Sequence, residues 1–553
     1  WQQRVHTLFS RAVRQSPETP PRLEDFDRPE NRSWRPFQLA FVLLNLPSLA
    51  DPLHPDRATD SASLADLLWF PTGGGKTEAY LGVTAFAIAI RRLQGTAGEA
   101  PRGGDGVSVL MRYTLRLLTL QQFQRAAALI CACEVIRRED PARWGYTPIR
   151  IGLWVGERST PNWTSDSAEA INAQRQNQPP PGGGTPHQLT TCPWCGQPIG
   201  PGTDLLVETV AAGRGRTIQY CGDKYGQCAF SRRQAENEGL PVVVVDEEIY
   251  RLLPALLIAT VDKFAQMPWR GETQMLFGRV NGFCPRHGYT SPDIDDKESH
   301  PAKGRFKAVK REPVRVGLRP PDLVIQDELH LISGPLGTLV GLYETAVDEL
   351  CTWKLGDVEV RPKVIASTAT IRRARNQVNG LFLRQVAVFP PPALSADDSF
   401  FARRRRTSDD SPGRLYLGLC APGTRVRSFM IRVYAALMAA AQTLYEQQGR
   451  AVDPWMTTVG YFNSLRELGA ARRAIEDSVR EQLQGMDKRG LRKRFILPPE
   501  ELTSRKSARD IPQILDRLEA VFDPDLRQAR VAAQKAGEDK TVFGQDPYDV
   551  LLA

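Results

Sequence analysis

Lys76 lies in the segment with the strongest chemical signal, Phe70-Pro-Thr-Gly-Gly-Gly-Lys-Thr-Glu78. Successive glycine N–H groups can surround phosphate oxygens without clashes from Cβ atoms. A lysine at this point can neutralise terminal phosphates, and the threonine hydroxyl after it can hold Mg²⁺. We therefore predict a nucleotide phosphate site formed by Gly73, Gly74, Gly75, Lys76 and Thr77. A glycine-rich surface turn before a helix is the alternative.

Two segments place acidic residues directly after an apolar run, where such a phosphate site needs a carboxylate for Mg²⁺. They are Val242-Val-Val-Val-Asp-Glu-Glu248 and Asp322-Leu-Val-Ile-Gln-Asp-Glu-Leu-His330. The second is favoured because a hydroxyl-rich segment, Ser367-Thr-Ala-Thr370, ends the next strong apolar run. We predict that Asp327 holds Mg²⁺ and that Glu328 acts as the base. His330 is predicted to bond the hydroxyls that relay the nucleotide state, which belong to Ser367, Thr368 and Thr370. Asp246 and Glu247 are then loop or helix-cap acids.

Nine cysteines are present, and four of them cluster between residues 192 and 228. Cys192-Pro-Trp-Cys195 offers two thiolates three residues apart, which can chelate one side of a metal ion. Cys221 and Cys228 would supply the other side, so we predict a structural Zn²⁺ site of four thiolates. A chance group of buried free cysteines is the alternative. Cys284-Pro-Arg-His287 is a second half-site with no partner pair recognisable in the sequence.

The composition describes a large globular protein and excludes several classes. The 553 residues are 41% hydrophobic and 24% charged, unlike disordered, collagenous or disulfide-dense chains. An excess of 72 Lys and Arg over 63 Asp and Glu gives a net charge of +9, which suits an anionic partner such as nucleic acid. No run approaches the roughly 18 to 20 apolar residues that cross a bilayer. The clustered cysteines favour metal binding in a reducing cytoplasm over a disulfide framework.

Apolar runs and helical periodicities alternate along the chain, which predicts an α/β fold with a parallel sheet. Predicted strands lie at residues 64–70, 107–112, 149–155, 242–245, 255–259, 322–325 and 364–367. Two polar stretches, 157–238 and 285–320, interrupt the pattern and are predicted to be insertions within one α/β domain. A Pro-rich and Arg-rich linker follows, then a helix at 426–447 and a new α/β pattern that opens at 457–461.

The Gly-Lys-Thr turn, Asp327-Glu-Leu-His330 and Ser367-Thr-Ala-Thr370 together resemble motifs I, II and III of superfamily 2 helicases and translocases of the DExH type. The resemblance implies two RecA-like domains with ATP between them and a nucleic-acid strand across both. The expected fold is therefore a RecA-like P-loop domain with a zinc-binding insertion, plus the first part of a second RecA-like domain. The expected domains are an N-terminal helical segment (1–60), RecA-like domain 1 (61–390), a linker and helix (391–450) and an incomplete domain 2 (451–553). Gln38 is placed like the adenine-reading glutamine of the family, and a structural role is its alternative.

The same resemblance implies nucleic-acid contacts at the positions of further motifs. These positions are Arg112, Thr114, Arg116, Thr260, Lys263, Asn463, Ser504 and Arg505. A solvated helix start is the alternative for Arg112 and Arg116. Motifs V and VI, the second of which supplies arginines to the γ-phosphate, have no counterpart in these residues. The chain is therefore expected to be part of a longer protein and to hydrolyse ATP poorly by itself.

A closer resemblance, to the DrmA family of the DISARM antiphage defence system, is carried by residues 109–124, 326–343 and 367–374. It implies a bacterial, ATP-dependent and Mg²⁺-dependent helicase or translocase that acts on single-stranded or overhang DNA. It also implies a DrmB-like partner subunit and a DNA methyltransferase of the same system. Two alternatives stay open: an ATPase that senses nucleic acid or scaffolds assembly without unwinding, and an RNA-directed DExH helicase.

Overall fold

The chain folds into two compact units. The computed structural model describes residues 1–15, 21–60, 62–70, 73–95, 103–114, 116–176, 178–208, 214–304, 306–368, 374–391, 393–395, 398–403, 405–503, 505–506, 510–536 and 545–553. The first unit comprises residues 1–14 and 20–404, and the second is formed mainly by residues 405–553. The segment 1–60 therefore lies in the first unit, and the helix predicted at 426–447 lies in the second.

The strands are numbered in chain order. They are β1 (Leu64–Trp69), β2 (Val109–Tyr113), β3 (Ile151–Trp154), β4 (Leu205–Glu208), β5 (Arg216–Gln219), β6 (Val242–Val243), β7 (Leu256–Thr260), β8 (Gly282–Cys284), β9 (Gly288–Thr290), β10 (Ser299–His300), β11 (Val309–Lys310), β12 (Glu312–Pro313), β13 (Leu323–Gln326), β14 (Trp353–Leu355), β15 (Val358–Val360), β16 (Lys363–Thr368), β17 (Gln385–Phe389), β18 (Thr458–Gly460), β19 (Glu500–Glu501) and β20 (Val550–Leu552).

The α-helices are numbered in the same way. They are α1 (Gln2–Gln15), α2 (Pro36–Ala50), α3 (Lys76–Gln94), α4 (Arg116–Glu139), α5 (Pro141–Trp144), α6 (Thr164–Arg175), α7 (Asp246–Leu252), α8 (Val261–Phe264), α9 (Gly334–Cys351), α10 (Ala374–Phe382), α11 (Val426–Gln448), α12 (Leu465–Ala474), α13 (Arg480–Gln484), α14 (Asp510–Leu518) and α15 (Pro524–Ala536).

Eight strands form the central sheet of the first unit, in the order β17-β1-β16-β13-β2-β7-β3-β6. Every pairing in it is parallel. Strands β2, β7, β13 and β16 are buried along their whole length, as expected of central strands in a parallel sheet. Because the strands share one direction, the residues that follow β1, β13 and β16 meet at one edge of the sheet.

The predicted α/β class with a parallel sheet is confirmed. Each of the seven predicted strands is present, with ends that differ by at most two residues. The edge strand β17 is missing from the prediction because it runs directly into a proline-rich segment that indicates a linker. The two polar stretches lie between β3 and β6 and between β7 and β13, and their assignment as insertions stays a prediction. The chain between β3 and β6 contains α6 and the antiparallel pair β4-β5. The chain between β7 and β13 contains the small sheets β12-β8-β9 and β10-β11, the first of which begins at Gly282, before the predicted bound of 285.

A buried charge cluster, which the sequence did not predict, fixes the start of β13. Arg57, Arg91 and Arg319 surround Asp322, with nitrogen–oxygen distances of 2.7, 3.0 and 2.6 Å. Burial alone would raise the pKa of Asp322, but the three guanidinium groups hold it well below its usual value. The cluster therefore joins α3 and the segment before β1 to the central strand that leads to Asp327.

Asp322→Ala is expected to destabilise the first unit by about 3–5 kcal/mol, because it leaves three buried guanidinium groups without their carboxylate. The folded-state pKa of Asp322 is depressed, so its contribution is present above the ordinary carboxyl pKa and is lost as the pH falls through the folded value. Urea unfolding at pH 7 measures the effect. Asp357→Ala, at an exposed turn between β14 and β15, is the matched control. Equal stability of the two variants would contradict this role.

The second unit has its own core and a short parallel sheet, β18-β20-β19. Helix α11 packs against α12, with Ala435, Met438, Leu468 and Leu552 in the core. Its opening strand and helix agree with the pattern expected for a second α/β domain. None of the helices within the described ranges combines the length and the apolar character that crossing a bilayer demands.

Candidate nucleotide site and cysteine cluster

The glycine-rich turn between β1 and α3 has a backbone that only glycine adopts easily. Gly73 and Gly75 have φ of 78° and 97°, in the left-handed region. A Cβ atom on Gly75 would lie 2.6 Å from the side-chain nitrogen of Gln38. Helix α3 begins at the next residue, so its first N–H groups face the turn. Gly74 lies between these two glycines, whereas residues 71 and 72 lie outside the described residues.

Lys76 is the chemically decisive residue of this turn. It is only 7% exposed, and its Nζ atom has no hydrogen-bond partner within the described part of the chain. An unpaired ammonium group is costly to bury, since it loses water without gaining a counter-charge. A phosphate at the helix N-terminus would supply that charge. The residues present therefore fit a nucleoside triphosphate. Thr77, the next residue of α3, is also buried.

Gln38 is bonded to the backbone of the glycine turn. Its side-chain nitrogen donates to the carbonyl oxygen of Gly75 at 2.8 Å, and its oxygen accepts from the N–H of Arg35 at 2.9 Å. The Arg35 guanidinium in turn donates to the carbonyl oxygen of Gly74 at 2.6 Å. Helix α2 thus holds the turn from one side. Contact between Gln38 and an adenine base stays a prediction.

The acidic residues and the hydroxyl-rich segment lie beside the turn because of the strand order. Strand β16 lies between β1 and β13, and its Thr368 is paired with Trp69, the last residue of β1. On its other side Ala366 is paired with Gln326, the residue before Asp327. The three predicted motifs are therefore brought to one edge of the sheet. Burial raises the pKa of Tyr80 on α3, and the nearby charge of Asp327 raises it further.

A chain of polar contacts links the acids to β16. The Ser367 hydroxyl donates to Asp327, and the Glu328 N–H donates to the same carboxylate at 2.9 Å. The Thr368 hydroxyl lies 3.3 Å from Nδ1 of His330, which lies 3.4 Å from a carboxylate oxygen of Glu328. Glu328 has a φ of 47°, an uncommon backbone conformation that aims its side chain differently from that of its neighbours. Of the three hydroxyls predicted to bond His330, that of Thr368 lies beside it, that of Ser367 is bonded to Asp327 instead, and Thr370 lies outside the described residues.

Three residues predicted to contact nucleic acid lie inside the first unit and not at its surface. Arg112 is fully buried and forms an ion pair with Glu344 of α9. Lys263 is paired with Asp246 at 2.5 Å, and Thr260 at the end of β7 is also buried. In this arrangement the charges of Arg112 and Lys263 are already neutralised by carboxylates. Asp246 is the first residue of α7, where Val245 holds the cap position, and burial raises its pKa to about 6. The role of Asp246 as a loop or helix-cap acid stays a prediction.

The other predicted nucleic-acid residues are distributed over both units. Thr114 follows β2, and its hydroxyl has no partner among the described residues. Asn463 and Arg505 are exposed on the second unit. The side chain of Arg116 and the whole of Ser504 lie outside the described residues. Nucleic-acid contact by these residues stays a prediction.

The four clustered cysteines of the first insertion come together as predicted. Their sulfur atoms all lie within 4.8 Å of one another, with Cys192 and Cys228 3.9 Å apart and Cys195 and Cys221 3.3 Å apart. Burial raises the pKa of Cys192, whereas hydrogen bonds from the other thiols lower that of Cys195. Tetrahedral Zn²⁺ with Zn–S bonds of about 2.3 Å holds its sulfurs about 3.8 Å apart. The donor set and its spacing therefore fit a closed structural zinc site.

Cys221→Ser is expected to remove one equivalent of zinc and to make the insertion at 157–238 sensitive to protease. The insertion is polar, so a metal ion would supply folding free energy that its own core does not. Metal content and limited proteolysis measure both effects. Cys420→Ser, at an exposed cysteine of the second unit, should change neither. A Cys221→Ser variant with the wild-type zinc content would contradict this assignment.

Comparison with known proteins adds one strong sequence similarity. The chain is 43% identical over 507 residues to the DISARM protein DrmA of Bacillus paralicheniformis, a match that covers 90% of this chain and 43% of the relative. The predicted resemblance to DrmA is confirmed. The chain spans less than half the length of this curated DrmA. No family model matches the chain.

Solved structures of helicases are similar to the chain only at a low level. The DUF1998 helicase MrfA bound to DNA has a TM-score of 0.37 and 10% identity, over 87% of this chain and 40% of that one. The Mycobacterium smegmatis helicase Lhr bound to single-stranded DNA and AMP-PNP has a TM-score of 0.38 and 13% identity, over 94% and 40%. The α/β assignment follows from the parallel sheet of this chain and from the position of Lys76 at the start of α3.

Proposed function

We propose that the chain is the nucleotide-binding part of an ATP-dependent DNA helicase or translocase of superfamily 2 that acts in DISARM-type antiphage defence. The observation that carries this proposal is the buried ammonium group of Lys76 at the N-terminus of α3, which has no hydrogen-bond partner among the residues that the structure describes. It lies at the same sheet edge as Asp327 and Glu328. The similarity to DrmA supports the setting in defence.

Each residue of this edge has a chemical role in the proposed reaction. The N–H groups of the turn and the Lys76 ammonium bind the phosphates of ATP. Thr77 and Asp327 would hold Mg²⁺, which supplies charge neutralisation on the transferred phosphoryl group. Glu328 accepts a proton from the attacking water, and His330 keeps the Glu328 carboxylate oriented through their contact. Thr368, bonded to His330, transmits the state of the site to β16.

Nucleic acid is the proposed polymer because the chain carries a net charge of +9 and resembles a DNA-acting family. Single-stranded or overhang DNA is the proposed form, and a DrmB-like subunit is the proposed partner. Thr114, Asn463 and Arg505 are the described residues that we propose at the strand. It stays a prediction that motifs V and VI lie outside these residues. It also stays a prediction that this chain alone hydrolyses ATP poorly.

ATP hydrolysis and strand displacement test the proposed function together. The full-length protein is assayed with single-stranded, duplex and overhang DNA and with RNA, at several salt concentrations. Stimulation by DNA that weakens as salt rises, with displacement of a strand, is the expected result, because phosphate contacts release counterions. Stimulation without displacement would favour a sensor or scaffold ATPase instead. Stimulation by RNA alone would favour an RNA-directed enzyme.

A further inference from the structure

Four metal-binding side chains converge between residues 284 and 300, outside the nucleotide site and the four-cysteine cluster. They are Cys284, His287, Asp296 and His300, here named the Cys-His-Asp-His cluster. Their ligand atoms all lie within 4.8 Å of one another. Cys284 ends β8 and His287 directly precedes β9, so both flank one tight turn. His300 belongs to β10 and Asp296 to the loop before it.

The donor atoms of the four side chains lie close together. Sγ of Cys284 is 3.8 Å from Nδ1 of His287, which is 2.7 Å from a carboxylate oxygen of Asp296. Nε2 of His300 is 3.1 Å from the same oxygen. The two imidazole rings are edge to face, with centroids 4.6 Å apart. The sulfur–nitrogen and nitrogen–oxygen separations differ by about 1 Å or less from those between the ligand atoms of a tetrahedral ion with bonds of about 2.0–2.3 Å.

The chemistry of the cluster is that of a closed zinc site. A thiolate, two imidazoles and one carboxylate are all Zn²⁺ ligands, and four protein ligands leave no open position for a substrate. Cys284 is fully buried and His287 is 4% exposed. The side chains of Asp296 and His300 are 6% and 10% exposed. A site this closed would be structural.

Two arginines contact the ligand residues, as the hydrogen-bonding residues around a metal site do. Arg214, from the first insertion, lies 3.5 Å from the other carboxylate oxygen of Asp296. Arg251 of α7 donates to the carbonyl oxygen of His287 at 2.6 Å and to that of Gly215 at 2.8 Å. The cluster therefore lies where the two insertions and the sheet domain meet.

We propose that the Cys-His-Asp-His cluster binds a second structural zinc ion, independent of the four-cysteine site. The ion joins the β8–β9 turn to β10 within a segment whose residues 295–304 and 306–316 are mostly exposed. A polar segment of this kind has too little apolar surface to fold on its own core. The second zinc thereby orders the chain that leads directly into β13 and Asp327.

Metal content of the purified chain gives the first test. Two equivalents of zinc are expected, one of which is lost in Cys284→Ser and the other in Cys221→Ser. Cys420→Ser should retain both. A single equivalent in the wild type that persists in Cys284→Ser would overturn the proposal and leave a hydrogen-bonded His-Asp-His group.

Zinc-edge X-ray absorption on the unmodified protein provides a test that does not depend on a variant folding. Five thiolates shared by two ions give an average of about 2.5 sulfur ligands per zinc, with nitrogen and oxygen ligands completing the shell. A shell of four sulfurs per zinc, with no nitrogen or oxygen contribution, would overturn the second site while leaving the first intact.

Discussion

Lys76→Met is expected to lower the affinity of the chain for ATP by about 10-fold to 100-fold, because a charged hydrogen bond contributes about 1.5–3 kcal/mol. Methionine preserves most of the side-chain volume and removes only the charge. The ammonium group has no partner among the described residues, so its loss should not lower the stability of the nucleotide-free protein. Binding of a fluorescent ATP analogue and thermal unfolding measure the two effects.

Lys354→Met is the matched control for Lys76→Met. Lys354 lies on β14 with a side chain that is 70% exposed, so its removal should leave ATP affinity unchanged. ATP affinity in Lys76→Met equal to that of the wild type would contradict the phosphate-binding role. A large loss of stability without nucleotide would instead indicate that Lys76 serves the fold.

Glu328→Gln is expected to slow ATP hydrolysis by about 10²-fold to 10⁴-fold, since a positioned general base contributes that much. Glutamine has the same shape but cannot accept the proton of the attacking water. Binding of ATP should stay close to that of the wild type, because the proposed phosphate contacts are made by Lys76 and the glycine turn and not by Glu328. Hydrolysis and binding are measured in the same length of protein for the variant and the wild type.

Glu359→Gln, on the exposed strand β15, is the control for this second prediction. It should hydrolyse ATP at the wild-type rate. Retained hydrolysis in Glu328→Gln would remove Glu328 from the reaction. An equal loss of binding and hydrolysis would indicate that the substitution disturbs the phosphate site as a whole.

Much of the nucleotide site could be predicted because its residues follow local patterns. Glycines before Lys76 and acids after an apolar run each indicate the end of a strand. Both patterns can be recognised without knowing which strands pair. The parallel sheet then brings these ends together, which explains why the contact between Thr368 and His330 follows from two short segments far apart in sequence. The cysteine spacing was informative for the same reason.

The buried ion pairs could not be predicted, because each joins residues that only the fold brings together. Arg112 has the sequence context of a strand-end phosphate contact, but β2 lies in the middle of the sheet and α9 supplies Glu344. Asp322 gathers arginines from the segment before β1, from α3 and from its own loop. The partners of Cys284 and His287 could not be predicted either, because Asp296 and His300 lack the three-residue spacing that marks a pair of zinc ligands.

A structure of the chain with Mg²⁺ and a non-hydrolysable ATP analogue tests the central claim most directly. We expect the terminal phosphates to lie within hydrogen-bonding distance of the Lys76 ammonium and the N–H groups of the glycine turn. The metal ion should lie between the phosphates, Thr77 and Asp327, with Glu328 facing the γ-phosphate. A nucleotide bound elsewhere, with Lys76 still unpaired, would contradict the account.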